Sequence, residues 1–115
     1  MQLRDIPPAD WNSFLEDFSQ KYRYWPVYVE QSDIRDGLSF KERAAPLLAI
    51  SHDATADAIT IAVSKAPTGE ATHQIVHPVE MMLEEDDEGA VQALHVGGPA
   101  DRMVLHIPAQ GSSIA

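Results

Sequence analysis

The sequence predicts an α+β fold, with one N-terminal amphipathic helix packed on an antiparallel β-meander of about six strands. Strongly apolar residues fall two apart in Leu48 and Ile50, in Ile59, Ile61 and Val63, in Leu94 and Val96, and in Leu105 and Ile107. That is the period of half-buried strands. Turn chemistry separates these runs, at Pro67-Thr68-Gly69 and at Gly97-Gly98-Pro99. Ahead of them Trp11, Phe14, Leu15, Phe18 and Tyr22 recur at i, i+3, i+4, i+7 and i+11, forming one aromatic stripe along a helix. At 115 residues the chain is expected to form one domain, 1–115, large enough to bury a core without staples.

In chain order, Pro7 and Pro8 precede the helix, since proline suits the first helical position. Asp10 falls in the first turn and Lys21 and Arg23 in the last, where the macrodipole favours an acid and a base respectively. Asn12, Glu16, Asp17 and Gln20 lie mostly on the polar side. Trp25 before Pro26 is biased to an extended conformation and ends the helix. Trp25 to Gln31 then reads as a first strand, at a sheet edge because Pro26 donates no ladder bond. The connection SDIRDGLSFKERAAP is the longest in the chain. It carries a turn signal at Asp36-Gly37, and Ser39 with Glu42 matches a capping box before a short helical turn.

Pairing Leu48 with Ile61 and Ile50 with Ile59 leaves a hairpin tip at Asp53 to Ala56 and sets His52 across from Asp57. In THQIVHP either Ile75 or Val76 faces the core, and the spacing leaves the choice open. A tip at Asp86 to Gly89 puts Val79, Met81 and Leu83 on the side of Leu94, Val96, Leu105 and Ile107. The opposite face then carries Glu80, Met82, Glu84, Val91, Ala93, His95, Arg102, Val104 and His106. The expected core contains Trp11, Phe14, Phe18, Val27, Ile50, Ile61, Leu94 and Leu105.

Charge narrows the function. Eight Lys and Arg against 18 Asp and Glu give a formal net charge of -10. A nucleic-acid ligand or an anionic membrane surface requires clustered bases, so neither is expected as a partner. Five of the eight bases, Arg35, Lys41 and Arg43 among them, fall between Lys21 and Arg43. Long loops carry binding more often than the elements they join, which makes Arg35, Lys41 and Arg43 candidates for contact with a protein partner or small ligand. No cysteine is present, so a disulfide framework, a thiolate zinc site and a cysteine nucleophile are all excluded. The opening MQLRDIPPADW lacks the order of a signal peptide, and no apolar run approaches the roughly 18 residues of a membrane span. A cytoplasmic location is expected.

Three groupings bear on chemistry. Glu80, His95 and His106 gather on the outer sheet face as a candidate metal site, with Glu80 opposite His95. His73 and His77 do not form one, because strand geometry sets i and i+4 roughly 13 Å apart. EEDDEG lacks the spacing of a calcium loop and reads as a charged hairpin tip. Met82, Val91, Ala93 and Val104 form an apolar centre on the same outer face, rimmed by charge, which is the layout of a homodimer interface. No G-x-S-x-G elbow, Walker sequence or GxGxxG occurs, and no catalytic residue or cofactor is expected.

Trp11 with FLEDFS, WPV at Trp25 to Val27, PLLAIS, ITIAV, HQIVHP and LHV together resemble a group of small bacterial proteins classed as a domain of unknown function. The resemblance covers nearly the whole chain and implies a fold unit with no assigned activity. The functional expectation is a non-enzymatic small binding or protein-interaction domain. Its alternative is a small enzyme or metal-binding module that uses His and carboxylate side chains.

Overall fold

A computed structural model of the chain describes residues 2–33, 39–41, 44–65 and 69–108. Strand β1 (Gln2–Asp5) leads through a 3-10 turn (Pro8–Asp10) into helix α1 (Trp11–Lys21). Then follow β2 (Pro26–Asp33), β3 (Ser39–Lys41), β4 (Ala45–Asp53), β5 (Ala58–Ser64), β6 (Glu70–Val76), β7 (Glu80–Glu85), β8 (Val91–Gly97) and β9 (Asp101–His106). The class is α+β, as the periodicities require. Eight strands, rather than about six, run in the order β1-β7-β8-β9-β2-β4-β5-β6, and β3 adds to β2 off that path. No helix among the described residues is long and apolar enough to cross a membrane.

The order is two meanders, β4-β5-β6 and β7-β8-β9, joined through β2. Strand β2 is therefore central, not an edge. It carries β9 along one side, from Tyr28↔His106 to Asp33↔Asp101. Its other side is divided between β4 at the start and β3 at the end. Pro26 escapes the edge rule because it lies opposite a second proline, Pro46, and backbone bonds from the Leu47 N–H to the Trp25 carbonyl and from the Tyr24 N–H to the Leu47 carbonyl carry the join past both missing donors. Ser39 does not cap a helical turn. It lies in β3 opposite Ser32, and Glu42 is outside the described residues.

Two bulges change which side chains face inward. In β4 the register shifts between Leu47↔Val63 and Ala49↔Ala62, leaving Leu48 as the extra residue. Leu47, not Leu48, therefore joins Ile50 in the core. Ile50 pairs with Ile61 rather than Ile59 for a separate reason, because the hairpin closes on Asp53↔Ala58. In β8 the shift between Glu84↔Ala93 and Glu85↔Val91 leaves Gln92 extra. One added residue turns every later side chain to the other face. In β6 the open choice resolves to Ile75 inward, with Val76 outward. Val79, expected inside, is 65% exposed, since it precedes β7 and only Met81 and Leu83 reach the core.

Both meanders, β2 and the helix bury their apolar sides in one cluster. The stripe of α1 supplies Trp11, Leu15, Phe18 and Tyr22, with Phe14 packed at its margin. Trp11 is fixed further by its indole N–H, which donates to the Ile6 carbonyl at 2.8 Å. Helix α1 stops ahead of Trp25-Pro26, and the chain turns there through Tyr24 at φ 70°. Strand β6 curls back toward the β8–β9 turn: a Cβ on Gly98 would meet Ile75 Cγ2 at 2.8 Å, so that position tolerates only glycine without a shift.

Candidate functional site

Beyond its two-residue join to β2, strand β4 runs beside α1. An open strand edge exposes unpaired backbone groups, and here the helix closes it. The Ser19 hydroxyl accepts the Ile50 N–H and donates to the Ile50 carbonyl, each at 2.8 Å. Above this contact the two elements diverge into a groove of about 480 Å³. One wall is the polar stripe Asn12, Glu16, Gln20 and Arg23; the other is Leu48 to His52. Asn12, Glu16 and Gln20 share a wall because residues four apart lie on one helix face, and Arg23 continues it from the turn after the helix. Arg23 also lies over the Tyr24 ring, 5.0 Å from its centroid.

One end of the groove is a chain of polar side chains. His52 Nδ1 lies 3.1 Å from Asn12 Oδ1, and His52 Nε2 lies 3.4 Å from Asp57 Oδ1. Asp57 Oδ2 takes His77 Nδ1 at 3.2 Å, and the His77 backbone N–H donates to the Asp57 carbonyl at 2.7 Å. A carboxylate only accepts, so each ring nitrogen facing Asp57 carries a proton. His52 then donates at both nitrogens as an imidazolium, or as a neutral ring accepts at Nδ1 from an Asn12 amide turned to present its NH2. Either way both ring nitrogens of His52 face a polar partner. Trp11 buttresses that ring edge-on at 5.5 Å. The imidazoles of His77 first and His52 second hold the Asp57 carboxyl below its ordinary value of 3.8. His77 lines a second cavity of about 340 Å³ with Asp33, Gln74, Val76 and Asp101.

A family of unknown function (DUF5335) matches residues 2–110 of the sequence. The chain belongs to that family. It is also similar to an uncharacterised protein of Aquifex aeolicus (strain VF5), 27% identical over 107 residues that make up 93% of each chain. No solved structure matches.

The residues singled out from the sequence separate. Arg35 and Arg43 are outside the described residues, and Lys41 stands in β3 at the register position opposite Glu30. Glu80, His95 and His106 are not brought together: Glu80 accepts from Arg102, His95 pairs with Glu84 and His106 with Glu30, each at 2.9 Å. The expected register is displaced by two residues, one from a five-residue tip that pairs Glu85 with Val91 and one from the bulge in β8, so Glu80 lies opposite Gly97 instead of His95. Among the described residues no three His, Asp or Glu side chains group to hold a metal ion. Of the four apolar residues assigned to the outer face, Val91 packs against the core on the inner side, turned there by the same bulge. Ala93 stays on the outer face as its floor, only 2% exposed, while Met82 and Val104 are half-buried there. His52 lies beside Asp57, but not as its cross-strand partner: the hairpin turns over residues 54–57, one later than expected, and pairs His52 with Ile59. Neither His77 as a partner of Asp57 nor the groove is marked by a motif. The signal for the groove is the polar side of the helix from Asn12 to Gln20.

Proposed function

We propose that the protein is a non-enzymatic binding domain and that the groove between α1 and β4 is its ligand site. The observation that carries this reading is the groove's construction: its size falls within the range of small-ligand sites, and its helical wall ranges from Glu16 to Arg23. Glu16 stands in the middle of the helix and Arg23 in the turn after it, with Gln20 between them. The chemistry suits a short polar ligand or an extended peptide segment that lays an anionic group on Arg23 and hydrogen-bonding groups along Gln20 and Ser51. The engagement of both ring nitrogens of His52 favours binding over acid–base catalysis. The absence of cysteine supports the cytoplasm of a bacterial cell as its place.

Titrating ¹⁵N-labelled protein with a panel of unblocked tripeptides tests the proposal. Amide shifts confined to residues 12–23 and 48–52, and lost in Arg23→Ala, are the expected result. No shift across the panel, or shifts that map elsewhere, would refute it.

One observation favours a second reading, an enzyme that uses His and carboxylate groups. Asp57 orients His77 through Nδ1, which leaves Nε2 of a 68% exposed ring beside the second cavity, the arrangement of a carboxylate-oriented general base. Turnover of an activated ester that His77→Gln abolishes would support that reading. Turnover unchanged by the substitution would remove it.

A further inference from the structure

We propose that the outer face of the sheet formed by β1, β7, β8, β9 and β2 is a two-fold interface with a second copy of this chain. The chain carries a formal net charge of -10, which opposes self-association over most of its surface. On this face the glutamates of β2 and β7 already have side-chain partners: Glu30 with His106 and Glu84 with His95 on adjacent strands, and Glu80 with Arg102 across β8, each at 2.9 Å. Two copies meeting here therefore do not have to supply new partners for these carboxylates.

The apolar component lies at the centre of that charge pattern. His95 and Val104 are direct cross-strand partners on β8 and β9, and Met82 is the partner of His95 on β7. Ala93, opposite both Glu84 and His106, forms a closed floor under the ion pairs. Asp5 continues the central row on β1 opposite Met82, and Leu3 flanks it opposite Glu84 as an exposed apolar rim residue. An apolar centre inside a polar rim is the anatomy of an interface. Five strands about 4.8 Å apart, each some six residues long, make a face of roughly 500 Å² in projection. Two such faces bury about 1,000 Å², the lower bound for a specific interface. An isologous pairing uses the same patch twice and needs no other partner chemistry.

The test is mass against concentration, by light scattering from micromolar to millimolar protein. The expected result is about twice the 12.7 kDa of one chain at the upper end, falling to a single chain in a Val104→Glu variant with unchanged far-UV circular dichroism. Val76 and Val79 are the competing exposed apolar residues, 47% and 65% exposed, so Val79→Glu should leave the dimer intact. A covalent readout stands beside it, so that the test does not depend on Val104→Glu folding. The natural chain has no cysteine, so a Val104→Cys variant oxidised in air should cross-link to a disulfide dimer while Val79→Cys remains mostly single. A single-chain mass at every concentration overturns the proposal, as does a dimer that Val79→Glu dissociates and Val104→Glu does not.

Discussion

Asp57 and His77 hold each other in backbone conformations that side chains other than glycine seldom adopt. Their φ angles are 51° and 56°, and His77 also precedes Pro78, a position that normally forces extended backbone. Two links maintain this geometry, one from backbone to backbone and one from ring to carboxylate. The carboxyl of Asp57 is held below 3.8. It therefore contributes stability at every pH above that value, and the contribution disappears as pH falls through the lower value of the folded state. Asp57→Asn should lower the Tm near neutral pH, and the two Tm curves should converge in strong acid; a constant offset at all pH values would mean that the carboxylate charge is not what matters. The nearness of His52 to Asp57 was legible in the sequence, because a hairpin between β4 and β5 brings the two to one end, although its turn falls one residue later than the expected tip at Asp53 to Ala56. His77 was not, since it reaches Asp57 only through the pairing Ala58↔Val76, and the register of THQIVHP could not be fixed while both Ile75 and Val76 remained candidates for the core.

Among the elements, α1 and the strand it covers depend most on single contacts. Trp11 is buried, bonded at Nε1 and set edge-on against His52, so Trp11→Ala should cost about 3–5 kcal/mol in a chemical denaturation curve. Ser19→Ala deletes both bonds to Ile50 and should cost about 1–2 kcal/mol. A loss of only a few tenths would show that water replaces the hydroxyl at the β4 edge. The helix, its face and the inward residues of β5, β8 and β9 were readable because period and burial coincide there. Strand β1 was not, since QLRD is exposed at all four positions and so has no apolar alternation to detect. Bulges leave no such mark either: Leu47 and Leu48 are chemically alike, and only the paired strand decides which one turns inward.

At the scale of the whole molecule, the two meanders share one core, but the backbone join between β2 and β4 is short: two residue pairs, one of them proline on proline, and the bonds of Leu47 to Tyr24 and Trp25 just before them. Cooperativity must then come from packing rather than from the ladder, because side chains of both meanders occupy a single cluster. Thermal unfolding followed by tryptophan fluorescence, which reports on Trp11 and Trp25, should coincide with unfolding followed in the far ultraviolet. Separate midpoints would mean that the meanders part along Pro26 and Pro46. The order of the strands lay beyond the sequence for the same reason: nothing in WPVYVE says that its neighbours are β9 and β4, residues far away along the chain. The cover that Ser19 places over β4 has a further consequence, for aggregation. The stretch Leu47-Leu48-Ala49-Ile50-Ser51 is short, apolar and uncharged, the composition of segments that stack into fibrils. While α1 is docked, its backbone is withheld from other chains. A molecule whose helix has lifted would present it, so the first irreversible step on heating should be polymerisation seeded at this strand, preceding global melting in any variant that loosens Ser19.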